Sequence, residues 1–317
     1  MAVKFLTREE CNVRLLAVEK LNLLYNLFTT ILIIIFFNRL HHPQEMLMGR
    51  FFIAAGTFAI IYIYTLYPSP LTRLARIVGQ MSLLSYWYPD TFEFNRIFTN
   101  LDHIAATAEQ WLFGCQPAVL FEQVCSHTLW REAFNMGYWA YYPMIIAIVL
   151  WYFFKQPRDT ERCTFVIIAS FFIYYLVYIF VPVAGPQFYF PVIGDAAVAA
   201  GQFPEIGNYF NLNPEITLPQ ADKEGFFTAL VNMAQASGER PTAAFPSSHI
   251  GVSTIIMLLA RRTSKGLTLT LLPFFVLLCC ATVYIKAHYL IDGIAGLLSG
   301  VGVYALTTYI YKKSAKE

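Results

Sequence analysis

Seven long apolar runs constrain this chain more than any other feature. A membrane-spanning helix needs about 20 mostly apolar residues, with about 17 as the lower limit. The runs cover residues 21–37, 51–67, 137–154, 163–182, 267–287 and 290–311, with a shorter one at 245–260. An eighth, at 74–88, is weaker because Arg76 and Gln80 interrupt it. Inside hydrocarbon every backbone polar group must bond within its own segment, so these runs predict helices. The expected fold is all-α, a polytopic transmembrane bundle of about eight spans, or seven if residues 71–88 lie along the surface. Charged residues make up only 13% of the chain, against about 25% in a soluble domain.

The basic residues set the sidedness. Arg261, Arg262 and Lys265, then Lys155, Arg158 and Arg162, and finally Lys312, Lys313 and Lys316 mark cytoplasmic ends of spans. The stretch 183–244 then lies outside, and its content agrees. It holds Lys223 and Arg240 against Asp195, Glu205, Glu215, Asp222, Glu224 and Glu239. Eight crossings also place Lys4, Arg8, Arg14 and Lys20 inside, whereas seven would leave them outside. Both termini are therefore expected in the cytoplasm. The first run reads as a retained span, since no small-residue cleavage site follows it.

A net charge of +2 without a dense basic block gives no reason to expect nucleic acid as a partner. Cys11, Cys115, Cys125, Cys163, Cys279 and Cys280 lack the spacing of a zinc site. Cys115 and Cys125 share one predicted loop and are expected as free thiols. No metal and no other cofactor is expected. The chain divides into N-terminal spans with a surface loop at 1–136, and a core at 137–317 that includes the external loop. In the last span Gly296 and Gly300 form a G-x-x-x-G pattern, which reads as close helix packing within or between subunits.

The chemistry gathers in two short stretches. Arg240-Pro-Thr-Ala-Ala-Phe-Pro246-Ser247-Ser248-His249 stands at the head of one span, and His288-Tyr-Leu-Ile-Asp292 stands between the last two. Ionisable groups at such depth are costly in hydrocarbon and mark functional sites by default. A helix descending from about 247 to 261 and its successor rising to 288 return both histidines to the outer face. The first leg is the shorter, so His249 is expected below the interface. His288 and Asp292, at i and i+4, would share a helix face and let the carboxylate accept the imidazole N–H. Pro246 suits the first turn of a helix, whose free N–H groups with Ser247 and Ser248 could hold an anion. His249 could then protonate a departing oxygen. A structural His–Asp pair and a serine helix cap are the plainer readings of the same residues.

Together these motifs resemble the superfamily of type 2 phosphatidic acid phosphatases and vanadium haloperoxidases. Pro246-Ser247-Ser248-His249 matches its Pro-Ser-Gly-His motif with serine for glycine, and His288 and Asp292 match the end of its Ser-Arg-(five)-His-(three)-Asp motif. The resemblance implies a six-helix core in which His288 attacks phosphorus, Asp292 orients it, His249 is the general acid and Ser247 helps hold the phosphate. The Ser-Arg pair falls on Ala281-Thr282, so the arginine clamp is missing, and Lys286 and Arg240 are the cations available in its place. Phe245-Pro-Ser-Ser-His249 and His288-Tyr289-x-x-Asp292 look like the branch that includes inositol phosphorylceramide synthase. The stretch 181–186 resembles that branch's first-motif region, or is a Pro/Gly helix end.

The function expected is lipid phosphoryl transfer through a phosphohistidine, with a membrane lipid as substrate and a lipid or alcohol as acceptor. Hydrolysis of a lipid phosphate or polyprenyl diphosphate is the enzymatic alternative. A transporter or structural membrane protein is the alternative of another class. The active site is expected on the extracytoplasmic face.

Overall fold

The computed structural model describes residues 7–8, 14–213 and 224–314. Lys4, Cys11, Glu215, Asp222, Lys223 and Lys316 lie outside them. Sixteen α-helices and no strand occur among the described residues. They are α1 (Ala17–Ile35), α2 (Pro43–Leu66), α3 (Pro70–Ser82), α4 (Leu84–Asn95), α5 (Asp102–Phe113), α6 (Pro117–Val124), α7 (Thr128–Trp139) and α8 (Tyr141–Lys155). Then follow α9 (Thr160–Phe180), α10 (Pro186–Ile193), α11 (Asp195–Ala199), α12 (Tyr209–Leu212), α13 (Phe226–Gly238), α14 (Ser248–Thr263), α15 (Lys265–Tyr284) and α16 (Leu290–Ser314).

Five helices are long and apolar enough to cross a bilayer alone: α1, α2, α9 with the turn before it, α15 and α16. The pair α7 and α8, bent by 41°, makes a sixth. Two more passes follow from position. The first is α3 with α4, joined at Leu83, whose backbone stays right-handed helical. Arg76 on α3 pairs with Glu19 near the start of α1, while Asn95 at the end of α4 donates to the Tyr178 carbonyl near the end of α9. The weak run thus connects the two ends of the bundle. Arg76 and Gln80 are both buried, and they are inter-helix contacts: Arg76 donates to both Glu19 oxygens, at 2.7 and 2.6 Å, and Gln80 to Thr57 of α2 at 3.2 Å. A charge so placed needs a partner, and α1 supplies it.

The second is α14. Its 16 residues reach about 24 Å, short of a hydrocarbon core of about 30 Å. It survives as a pass because other helices surround it, leaving most of its side chains buried. Gly296 and Gly300 of α16 make that contact close. A Cβ at Gly296 would come 2.5 Å from the Ser247 carbonyl, and one at Gly300 would come 2.7 Å from the Gly251 carbonyl. The G-x-x-x-G pattern therefore packs within one chain.

With these two, eight helical segments among the described residues run between the two ends of the bundle. α1 starts, and α16 ends, at one end of the bundle, where Arg14 meets Glu161, Trp151 donates to Thr263 and Tyr311 packs on Phe165. The helices α5, α6 and α10 to α13 gather at the other end. Phe121 of α6 packs on Phe134 and Tyr284, whereas Trp111 at the end of α5 leaves 81% of its surface exposed. Exposed Phe51, Phe58 and Tyr62 on α2 and Leu298 and Val301 on α16 give the bundle an apolar outer surface, as an integral membrane protein requires. Cys115 and Cys125 are free thiols.

Candidate active site

The segment before α14 and the connection between α15 and α16 meet at the end opposite the start of α1 and the end of α16. Ser247 caps α14, its hydroxyl accepting from Ile250 N at 3.3 Å. Its own N–H donates to the Asp292 carbonyl at 3.0 Å, which fastens this cap to the first turn of α16. Tyr178 of α9 completes the turn: its hydroxyl donates to the Pro246 carbonyl at 2.8 Å and accepts from Ser248 N at 2.9 Å. This revises the expectation of free N–H groups for an anion. Those of Ser248 and Ile250 already have acceptors inside the protein, and the Ser247 side chain is a fully buried cap.

His288 lies before α16, not on it. Its Nδ1 stands 2.7 Å from the Ala244 carbonyl. A carbonyl oxygen only accepts, so Nδ1 carries the proton and Nε2 the lone pair. That Nε2 faces His249 Nδ1 at 3.4 Å. Asp292 is farther away than the i,i+4 argument implies, with its carboxylate 3.7 Å from His288 Nδ1 and accepting the Tyr289 N–H at 2.8 Å. The reason is local, because the helix begins only at Leu290. Ala244 holds the ring, and Asp292 stands across a longer gap.

Burial lowers the His288 imidazole to about 4, against the opposite pull of the Ala244 carbonyl and the Glu239 carboxylate. The ring is therefore neutral at physiological pH, with its lone pair available. His249 is packed between Tyr138 and Tyr141, at ring-centroid distances of 4.8 and 4.6 Å. The two tyrosines fix its plane and leave one edge facing His288.

The two expected cations part company. Arg240 is half-buried and donates to the Glu239 carbonyl at 3.5 Å, on the segment that leads to Ala244 and His249. Lys286 is ion-paired with Glu122 at 2.7 Å. It lines a cavity of about 840 Å³ beside the site and is not brought to the histidines. Thr282, at the position of the missing arginine, is buried and accepts the His288 N–H through its carbonyl at 3.0 Å.

Several residues without a sequence signature complete the arrangement. The Asp102 carboxylate accepts four bonds: from Ala184 N at 2.6 Å, Gly185 N at 2.8 Å, Asn100 Nδ2 at 2.6 Å and the Tyr289 hydroxyl at 3.1 Å. The stretch it grips joins both site segments, since Val183 O accepts Ala244 N at 3.0 Å and Gln187 N donates to Lys286 O at 2.9 Å. Gly185, at φ 93, passes so near that a Cβ would lie 2.6 Å from the Ala287 carbonyl. Glu109 accepts the Ile291 N–H at 3.1 Å, and burial, with a smaller push from Asp292, raises its carboxyl to about 7. Glu239 accepts from Gln187 at 3.2 Å and from the Tyr88 hydroxyl at 3.4 Å. Burial raises it, while His288, Gln187 and Tyr88 pull it back.

Among the described residues no group of histidine, cysteine and carboxylate side chains could hold a metal ion. What remains is a neutral imidazole with an oriented lone pair, and a second imidazole against it. Such a pair can attack an electrophile and move a proton.

Comparison with curated proteins gave no match, and neither did comparison with solved structures. A family model described as the PAP2 superfamily matches residues 102–306, a stretch that contains both histidines, Asp292 and the Asp102 clasp. With about two thirds of its length matched, the chain belongs to the PAP2 superfamily and is an enzyme of the phosphatase or phosphotransferase type.

Proposed function

We propose that this enzyme moves the phosphorylated head group of a membrane lipid to a second lipid or alcohol through a covalent intermediate on His288. The observation that carries the proposal is the Nδ1–H bond to Ala244, which leaves the His288 Nε2 lone pair directed at His249. A phosphoryl group enters between the two rings. Nε2 then attacks phosphorus, the P–O bond to the first alcohol breaks, and His249 gives its proton to the leaving oxygen. In the second half His249 takes the proton of the acceptor hydroxyl, that oxygen attacks phosphorus and the P–N bond breaks. Asp292 and Glu239 favour the positive charge that develops on His288, and Arg240, on the segment that leads to His249, is the cation for the phosphate oxygens.

Transfer is favoured over simple hydrolysis by the cavity beside the histidines. Its wall includes Lys286, two residues from His288, and Gln187, which bonds Glu239. Gln110, Gln116, Gln123, Asn135 and Asn232 also line it. Neutral amides of this kind suit a polar, hydroxylated head group better than a bare phosphate. The forms Phe245-Pro-Ser-Ser-His249 and His288-Tyr289 with Asp292 support an inositol phosphorylceramide synthase-like activity. Arg261, Arg262, Lys312 and Lys313 at the opposite end support an extracytoplasmic active site.

The test is incubation of purified enzyme with labelled phospholipids, with and without ceramide or diacylglycerol, followed by lipid mass spectrometry. A new head-group-bearing lipid is the expected product. Free phosphate alone, whatever the acceptor, would instead identify a lipid phosphate phosphatase.

A further inference from the structure

The bond from His288 Nδ1 to Ala244 O joins two segments of the site, and a third segment lies against both. Val183 O accepts the Ala244 N–H at 3.0 Å, and Gln187 N donates to Lys286 O at 2.9 Å. Between these hooks the backbone at Gly185 passes close to each side. A Cβ there would lie 2.6 Å from the Ala287 carbonyl and 3.2 Å from the Ala244 Cβ. The stretch 183–187 is thus a splint, tied to the Ala244 segment at one end and to the His288 segment at the other.

Asp102 anchors the splint. Its side chain is fully buried, and its carboxylate takes the N–H groups of Ala184 and Gly185. Leu101 N donates to the Pro182 carbonyl at 2.8 Å, so the turn before α5 runs along the splint. The same carboxylate accepts the hydroxyl of Tyr289, the residue after His288, at 3.1 Å. One group therefore reaches both partners of the bond, Ala244 through the splint and His288 through Tyr289. With the Asn100 amide, four donors meet its two oxygens. An amide in its place would turn one of those oxygens into a donor.

We propose that Asp102 is a positioning residue of the reaction, which through the splint and Tyr289 sets the Ala244 carbonyl against the His288 ring and so keeps the Nε2 lone pair facing His249. It touches neither the lipid nor the phosphorus. A neutral imidazole has two forms, which differ in the nitrogen that holds the proton, and the bond at Nδ1 chooses between them. With the splint loosened, the ring can turn and the proton can sit on Nε2, where no lone pair is left to attack. The inference rests on His288 as the nucleophile, and is indifferent to whether a lipid, an alcohol or water ends the cycle.

The test pairs a rate with the nitrogen spectrum of the ring, on the full chain in detergent. Enzyme in saturating excess is mixed with a phospholipid labelled in its head group, so that the single-turnover rate constant reports chemistry and not the number of folded molecules. Asp102→Asn keeps the shape but sets an NH2 group against N–H donors. It should lower this rate constant about 100-fold, the usual loss when a reacting atom moves by about 1 Å. In protein labelled with nitrogen-15 histidine, the His288 ring, assigned by its loss in His288→Ala, should show one form in the unaltered chain and a mixture in Asp102→Asn. A merely structural tie between α5 and the bundle would lower the yield of folded protein and leave rate constant and spectrum unchanged, and that result would overturn the proposal. Tyr289→Phe, which cuts only the arm to His288, serves if Asp102→Asn folds poorly. It should slow the same step and mix the two forms, and an unaltered rate constant and spectrum would again overturn the proposal. If the unaltered chain consumes no phospholipid, the reaction proposed above fails, and the spectrum alone decides the role of Asp102: a mixture keeps it and a single form overturns it.

Discussion

Leaving-group chemistry separates the two histidines at the residue scale. If His249 is the general acid, His249→Ala should slow transfer from a natural lipid about a thousandfold, the usual weight of a positioned proton donor. An activated aryl phosphodiester, whose leaving oxygen needs no proton, should lose far less. His288→Ala should lose both substrates alike, because no other side chain supplies the attacking atom. Rescue of the aryl substrate in His288→Ala, measured as initial rates on both substrates, would exchange the two roles. Both histidines were legible in the sequence because their motifs are made of side chains. The groups that aim them were not. Ala244 acts through a carbonyl, and Asp102 grips the N–H groups of Ala184 and Gly185 from 82 and 83 positions away. The i,i+4 spacing of His288 and Asp292 misled for a similar reason, since only the structure shows that the helix starts two residues after His288.

At the scale of elements, the third pass depends on a contact that hydropathy alone cannot weigh. Hydropathy counts Arg76 as an interruption, whereas the Arg76–Glu19 pair, 2% and 1% exposed, makes it a link between α3 and α1. Removing one partner of such a pair leaves an uncompensated buried charge, at a cost of about 4 kcal/mol, while replacing both by apolar residues is often neutral. Glu19→Ala should therefore lower the unfolding midpoint of the detergent-solubilised protein steeply. Glu19→Leu with Arg76→Met should recover most of the loss. Equal loss in the single and double variants would show that the pair does not hold α3 to α1. The same limit applies to α14, whose 16 residues fall short as an isolated span but suffice inside a ring of other helices. The connection 183–244 was legible as one acidic segment, but its helices α10 to α13 were not, because their short apolar stretches pack on α5, α7 and the site segments.

For the whole molecule, the eight helical segments put the N-terminal start of α1 and the C-terminal end of α16 on one side and the histidines on the other. The distribution of arginine and lysine predicts which side is which. In a functional variant freed of its own cysteines, Asn208→Cys, exposed near the site end, should react with an impermeant maleimide on intact cells or spheroplasts. Lys265→Cys, exposed at the start of α15, should react only after lysis. The reverse pattern would place the active site in the cytoplasm. The polytopic helical bundle was legible from apolar length. The meeting of α4 with the site was not, and Tyr88, bonded to Glu239, shows that this helix helps to build it.

The central claim, a covalent intermediate on His288, is tested most directly by trapping it. Purified enzyme mixed with a phospholipid labelled in its head-group phosphate, quenched within one turnover and digested under alkaline conditions, should yield an acid-labile label on the peptide that contains His288. The label should be absent in His288→Ala. Label on His249, or undiminished labelling of His288→Ala, would contradict the mechanism.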